Sequence, residues 1–400
     1  GYDGIGVTQK STEKPVLFNG RRYFGSGVEG DEISELGFQP DLVWIKSRSS
    51  GEHHSLFDSV RGVNANNGNK ISPNHNQSQN DSNWNQGHIR AFTKDGFTFE
   101  NGTASNMNHV NASDKTYVAW TWKAGGPIGL GTVAPTNGKF CLNGEATSAE
   151  RDQTTETVTG LGYAKGKSSG GTSYNASYNV DGGFAIIHTT SPGSGADNNI
   201  FPTFIGTPDV IIAKQLNAYN HWFVYHKDAR STGSPARREI LYLNLNEPDD
   251  AGTAVNGFGA ISTIGANSGR TWALGSANET NNNGSGKNYV YYLYKSVTGV
   301  SKFGTYTGAS SGVTITTGFR PRWVMVKNID VNTRQWVIHD AFRVASDTKT
   351  ANLYANLTNS EDVDATHEIV FTSTGFQFNT NSTYVSINEN TKPFVYLAFA

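Results

Sequence analysis

The chain has 400 residues, too many for one small core and suited to two or three domains. Charged residues make up 16%, and the net charge is -2 with no basic block, which excludes nucleic acid as the main partner because phosphate binding needs clustered Lys and Arg. Cys141 is the only cysteine, so no disulfide framework and no cysteine-based metal site can form within one chain, and no apolar run approaches the roughly 20 residues of a membrane span.

Residues 1–20 read as a polar, Gly-punctuated arm or linker, with strand candidates at 15–18 and 21–24. The chain opens on Gly1 rather than Met, which suggests processing or a longer parent. Residues 37–61 then read as turn, strand, turn, strand. Pro40 precedes an apolar run ending in Lys46, and a second run ends before Arg61. Residues 62–86 are rich in Asn, Ser, Gly and His, with almost nothing to bury; so long a loop is usually functional. Residues 94–99 read as a turn leading into an alternating strand, and 117–122 as a closing strand.

Residues 124–183 open on a Gly/Pro-rich boundary and read as a linker and extension, with a possible strand at 140–143. The layout of 37–61 then returns at 206–230 (Pro208, Lys214, Arg230) and at 318–343 (Pro321, Lys327, Arg343). The closing features return at 270–275 with 287–290, and at 373–378 with 392–395. Such recurrence predicts an all-β chain of three tandem β-sandwich repeats, jelly-roll or lectin-like, at 21–126, 184–299 and 300–400, with 127–183 as the insertion. Trp44, Trp222, Trp323 and Trp336, on alternating positions, are expected to fill the sandwich cores.

The motifs that invite an enzymatic reading are weak. Gly166-Lys167-Ser168 lacks the glycine at 161 that a phosphate loop needs, since Leu161 stands there. Two GxSxG strings, 166–170 and 308–312, lie between strands without the strand-turn-helix setting of a nucleophile elbow. No histidine pair has helical HxxxH spacing. Phe57, His226 and His339 read as equivalent positions beside Asp58 and Asp340, and a hydrogen-bonded neutral histidine at a sheet edge is the plain reading. Paired carboxylates for glycoside cleavage would come from Asp58, Asp95, Asp228, Glu239 and Asp340, but nothing pairs any two at the needed separation. Asp95 reads as a turn residue, and Asp58, Asp228 and Asp340 as partners in structural ion pairs. No cofactor and no metal is expected.

The aromatic and Asn-rich loops point instead to sugar binding, in which a ring face stacks on Trp or Tyr while Asn or Asp reaches the hydroxyls. Trp84 stands alone in the polar loop between Asn83 and Asn85; its bland reading is a plug that tacks the loop down. Tyr174, Tyr178 and Tyr219 are further candidates.

The order PDLVWIK, LFDSVRG, DGFTF, TYVAWTWKAGG, FVYHKDAR, SKFGTYTG, TGFRPRWVMVK and FVYLAFA resembles an uncharacterised repeat domain of tail-fibre-like structural proteins of tailed phages, especially marine and cyanobacterial ones. The resemblance spans about residues 21–400, apart from 64–86 and 145–181. It implies a non-enzymatic virion protein of a tail fibre, spike or capsid appendage, with a role in host recognition. It also implies contacts with other virion proteins, homo-oligomeric and trimeric assembly in the fibre case, and no catalytic residues to carry over. A carbohydrate-binding module acting on a host-surface glycan through Trp84, and a polysaccharide depolymerase, stay open as alternatives.

Overall fold

The computed structural model describes residues 17–79, 81, 85–102, 106–126, 174–189, 205–229, 240–248, 286–344 and 346–400, and the backbone of 140–142, 190, 200–202 and 271–273. Nearly all regular structure among these residues is antiparallel β, as expected from the short turn-bounded runs.

Three large sheets share one strand order. In sheet I the strands Phe18–Phe24, Thr116–Trp122, Leu42–Ser47 and Ser55–Asp58 lie side by side. In sheet II the corresponding strands are Phe184–Thr190, Asn288–Tyr294, Val210–Gln215 and Phe223–His226, continued by Leu241–Tyr242. In sheet III they are Ser301–Thr307, Pro393–Phe399, Trp323–Asn328 and Val337–Asp340, continued by Ala351–Tyr354. Residues 15–24, expected as two short strands, supply the single strand Phe18–Phe24. The insertion does not stand apart. Tyr174–Asn179 pairs with Phe184–Thr190, and Phe140–Leu142 pairs in parallel with Tyr174–Asn179, so both extend sheet II.

Sheets I and III are each packed on one face against a smaller sheet. Glu32–Ile33, Gly96–Glu100 and His88–Thr93 form the smaller sheet of the first unit. Val313–Thr316, Gly375–Phe378, Ile369–Thr372 and Thr348–Lys349 form that beside sheet III, and Ile200–Pro202 pairs with Thr271–Ala273 as a separate two-stranded sheet. The sandwich interiors take one set of alternate side chains: Val43, Ile45, Tyr117 and Ala119; Ile211, Ala213, Tyr289 and Tyr291; Val324, Val326, Phe394 and Tyr396.

The other set does not face water. Trp44, Trp120 and Trp122 of sheet I, Ile212, Trp222, Tyr292 and Tyr294 of sheet II, and Trp323, Trp336 and Phe399 of sheet III all join a single buried cluster. Trp122 and Trp323 meet edge to face with ring centroids 5.8 Å apart, and Trp122 meets Phe399 at 5.6 Å. The four tryptophans expected inside separate sandwiches therefore belong to a core that all three sheets share. Burial on both faces explains why the central strands read as continuous apolar runs rather than clean alternation.

The glycines of DGFTF and TGFQF have a steric origin. A Cβ on Gly96 would lie 1.8 Å from the Ile33 carbonyl oxygen, and one on Gly375 would lie 1.9 Å from that of Ile315. Backbone atoms cannot give way as a side-chain tip can. Gly375→Ala is expected to cost about 1–3 kcal/mol by overpacking, read from the denaturant midpoint. An unchanged midpoint would show that the Val313–Thr316 strand is not held against Gly375.

Candidate recognition surface at the sheet seams

The three sheets meet at seams built from equivalent residues. His54, Trp222 and Trp336 each stand one position before the fourth strand of their sheet, at matching register. Ser72, Tyr242 and Tyr354 also match, each following a residue (Ile71, Leu241, Leu353) paired to that strand. Trp44 Nε1 donates to His54 Nδ1 at 2.8 Å. An indole N–H only donates, so His54 carries its proton on Nε2, which donates to the Tyr354 carbonyl at 2.9 Å. Trp222 Nε1 donates to the Ser72 carbonyl, and Trp336 Nε1 to the Tyr242 carbonyl, each at 2.9 Å. Sheet I thus donates to III, II to I, and III to II, closing a ring.

A second set of contacts crosses the same three seams, with its link between sheets II and III running in the opposite direction. Tyr292 of sheet II donates its hydroxyl to Asp58 of sheet I at 2.7 Å, and Trp120 of sheet I donates Nε1 to Asp340 of sheet III at 3.1 Å. His226 of sheet II contacts the Tyr396 carbonyl of sheet III at 3.3 Å. Register makes Asp58, His226 and Asp340 the equivalent set, because they pair with Leu42, Val210 and Trp323. This corrects the expected grouping of Phe57, His226 and His339. Phe57 and His339 each lie one residue earlier, on the opposite face. Neither ring nitrogen of the buried His339 has a hydrogen-bond partner.

The recurring charged residues are structural. Asp58 and Arg61 form a fully buried pair at 2.5 Å, and Asp340 and Arg343 one at 2.6 Å. In sheet II the pattern breaks. Ala229 stands three residues after His226, Asp228 pairs with Lys227, and Arg230 lies outside the described residues. Lys46, Lys214 and Lys327 are all buried and donate to carbonyls of the turn that follows each strand: Ser50 at 3.2 Å, Asn220 at 2.9 Å and Arg334 at 2.6 Å. Burial pulls the Lys46 amine down to about 7. Asp95 stands in the turn between two strands, but its carboxylate accepts the distant backbone N–H groups of Glu35 and Gly37, and Glu239 lies outside the described residues.

A third equivalent set escaped the sequence reading. Asn74, Asn244 and Asn356 accept the backbone N–H of His54, Trp222 and Trp336, each at 3.0 Å. Their amides also meet the preceding residues His53, His221 and Gln335. The available signal was an Asn 20 to 22 residues after each His or Trp, hidden by the abundance of Asn. Ile71 is fully buried as well, so residues 62–86 are not an unanchored loop.

The proposed ligand residues separate. Tyr174 and Tyr178 are 2% and 0% exposed inside the sandwich of sheet II, because 174–179 is a strand rather than a loop; they cannot stack on an external ligand. Trp84 and Asn83 lie outside the described residues, and Asn85 is half-buried. Tyr219 is 63% exposed. Its hydroxyl donates to Asp81, at the far end of the Asn-rich segment, so the seam between sheets I and II joins these two features. The Gln79 N–H donates to the Leu216 carbonyl at 2.7 Å, and Lys214 Nζ to that of Asn76 at 3.1 Å, which fixes the same junction. The Asp81 hydrogen bond raises the Tyr219 phenol above its ordinary value.

Among the described residues no group of three or more His, Cys, Asp or Glu could hold a metal ion, and no helix is long and apolar enough to cross a membrane. No curated protein matches the chain. A family described as a domain of unknown function (DUF7483) matches residues 15–151 and again 136–400, nearly the whole length. The chain belongs to that family.

Proposed function

We propose that this chain is a non-enzymatic structural protein of a tailed-phage virion, part of a tail fibre, spike or capsid appendage, that recognises host-surface glycan at the seams between its sheets. We also read its three large sheets as copies of one unit within a chain that assembles as a homo-oligomer, which light scattering checks. The carrying observation is Tyr219. An exposed aromatic face, tied through its hydroxyl to a carboxylate of the neighbouring sheet, offers a sugar a stacking plate and a hydrogen-bond acceptor side by side. Of the five candidate carboxylates, Asp58 and Asp340 are buried in ion pairs, Asp95 holds the backbone of Glu35 and Gly37, Asp228 pairs with Lys227, and Glu239 lies outside the described residues. Release of reducing ends from host polysaccharide would overturn the non-enzymatic part.

Glycan-array screening of the whole chain tests the binding part. Tyr219→Ala is expected to weaken the strongest hit about tenfold, the scale of one stacked ring. Tyr219→Phe keeps the ring and loses only the tie to Asp81, so it should weaken binding less. Affinity unchanged in Tyr219→Ala would remove this seam as the site.

A further inference from the structure

A second recess lies where sheet III approaches sheet I. The loop after Ala351–Tyr354 and the residue Tyr384 enclose an open cleft of about 350 Å³, lined by Tyr354, Asn359, Ser360, Glu361, Asp362 and Tyr384. Its walls are mostly polar, which disfavours a lipid or a flat aromatic ligand. Its two rings are fixed. His367 lies against Tyr384 with ring centroids 3.9 Å apart, and the Tyr354 hydroxyl donates to Asp362 at 3.0 Å.

The two carboxylates differ in availability. Glu361 is held by Arg48 Nη2 at 2.9 Å across the seam and by Arg343 Nη1 at 3.0 Å. Asp362 is about half exposed, and its ion-pair neighbour among the described residues is His367, at 3.6 Å. Burial lowers that histidine's proton affinity, so at neutral pH it leaves the Asp362 charge uncompensated. An uncompensated carboxylate accepts hydroxyl hydrogens and repels a carboxylated or sulfated sugar.

We propose that this cleft is a second glycan subsite, taking one neutral hexose unit against Tyr384 with a sugar hydroxyl donating to Asp362. The proposal rests on the glycan-recognition reading, and its test separates the two sites. Saturation-transfer NMR on the full chain would use methyl glucoside, methyl galactoside, N-acetylglucosamine and glucuronate as probes. At least one neutral sugar should receive transfer, and glucuronate none. The signal should survive in Tyr219→Ala, which removes the first site, and disappear when Tyr384→Ala is added to it. Asp362→Asn changes a half-exposed side chain, so it tests the site even if Tyr384→Ala fails to fold; it should weaken binding about tenfold, as expected for a lost hydrogen bond to a charged group. Transfer to no neutral sugar, equal transfer to glucuronate, or binding indifferent to both Tyr384→Ala and Asp362→Asn would overturn the proposal. Loss in Tyr219→Ala with no loss in the cleft variants would overturn it while upholding the Tyr219 site.

Discussion

Arg343→Met is expected to lower the unfolding free energy by about 3–5 kcal/mol, because it strands a buried carboxylate. Asp340 and Arg343 are both 0% exposed in their side chains. Arg343 does more than neutralise Asp340: its Nη1 reaches Glu361 at 3.0 Å, and its Nη2 donates to the Ile338 carbonyl at 2.9 Å. Asp340 also accepts the Trp120 indole of sheet I, so an unpaired charge there weakens a seam as well as a turn. Adding Asp340→Asn should restore part of the loss, since the double variant no longer buries a lone charge. Denaturant unfolding of the three variants checks this. A loss below about 1 kcal/mol in Arg343→Met would mean that water reaches the site and screens it, as at an exposed pair.

Acid should destabilise the protein below about pH 6.5, through histidines that are buried neutral. Burial is the largest cause for each: it lowers His226 to about 4 and holds His54 and His339 well below their ordinary value. The sign follows from proton counting. Between pH 6.5 and 4 the unfolded chain protonates these rings and the folded chain does not, so stability is lost as pH falls. For His226 alone the loss is about 3 kcal/mol. Asp41 acts in the opposite direction. Burial raises its carboxyl to about 6, so its contribution is fully present below its ordinary value near 3.8 and is lost as pH rises to about 6. On acidification the gain from Asp41 roughly offsets the loss from His226. His54 and His339, together with His88 and His188, which burial lowers to about 4, and His109, which it lowers to about 2, then decide the balance, and all push toward unfolding. Urea midpoints at pH 4.5 and 7.5 measure it. A midpoint that is higher at pH 4.5 would show that Asp41 dominates. His54→Gln should flatten the slope, because a neutral amide can still donate toward the Tyr354 carbonyl without titrating.

Much of the local structure was legible in the residues. The runs at 42–46, 117–122, 210–214, 323–327 and 394–399 have the length and β-branched or aromatic content of strands, and each lies in one. Asp58, Asp228 and Asp340 were recognisable as ion-pair partners because each stands a few residues before a recurring Arg; Asp58 and Asp340 pair with Arg61 and Arg343, and Asp228 with Lys227. The facing of the tryptophans was not legible. A strand buried on both faces loses the two-residue period that distinguishes inside from outside, so Trp44 and Val43 look alike in sequence although one meets the shared cluster and the other the sandwich interior. The match of Asp58 with His226 was missed for a related reason: a shift of one residue reverses the face, and register is set by pairing rather than by the local string.

The candidate surface divides in the same way. The Asn-rich segment at 62–86 and the exposed Tyr219 could each be picked out as polar-loop features, but Tyr174 and Tyr178 could not be told from loop residues until strand pairing buried them. The sequence by itself determined the all-β class, the turn-bounded strands and the chemistry of the buried ion pairs, because these depend on residues close together in the chain. Tertiary structure alone decided that three sheets close on one core, that Tyr219 meets Asp81 and that Tyr354 and Tyr384 frame a cleft. Those contacts join residues far apart in sequence, where the partner's position depends on how whole sheets pack and not on any local preference.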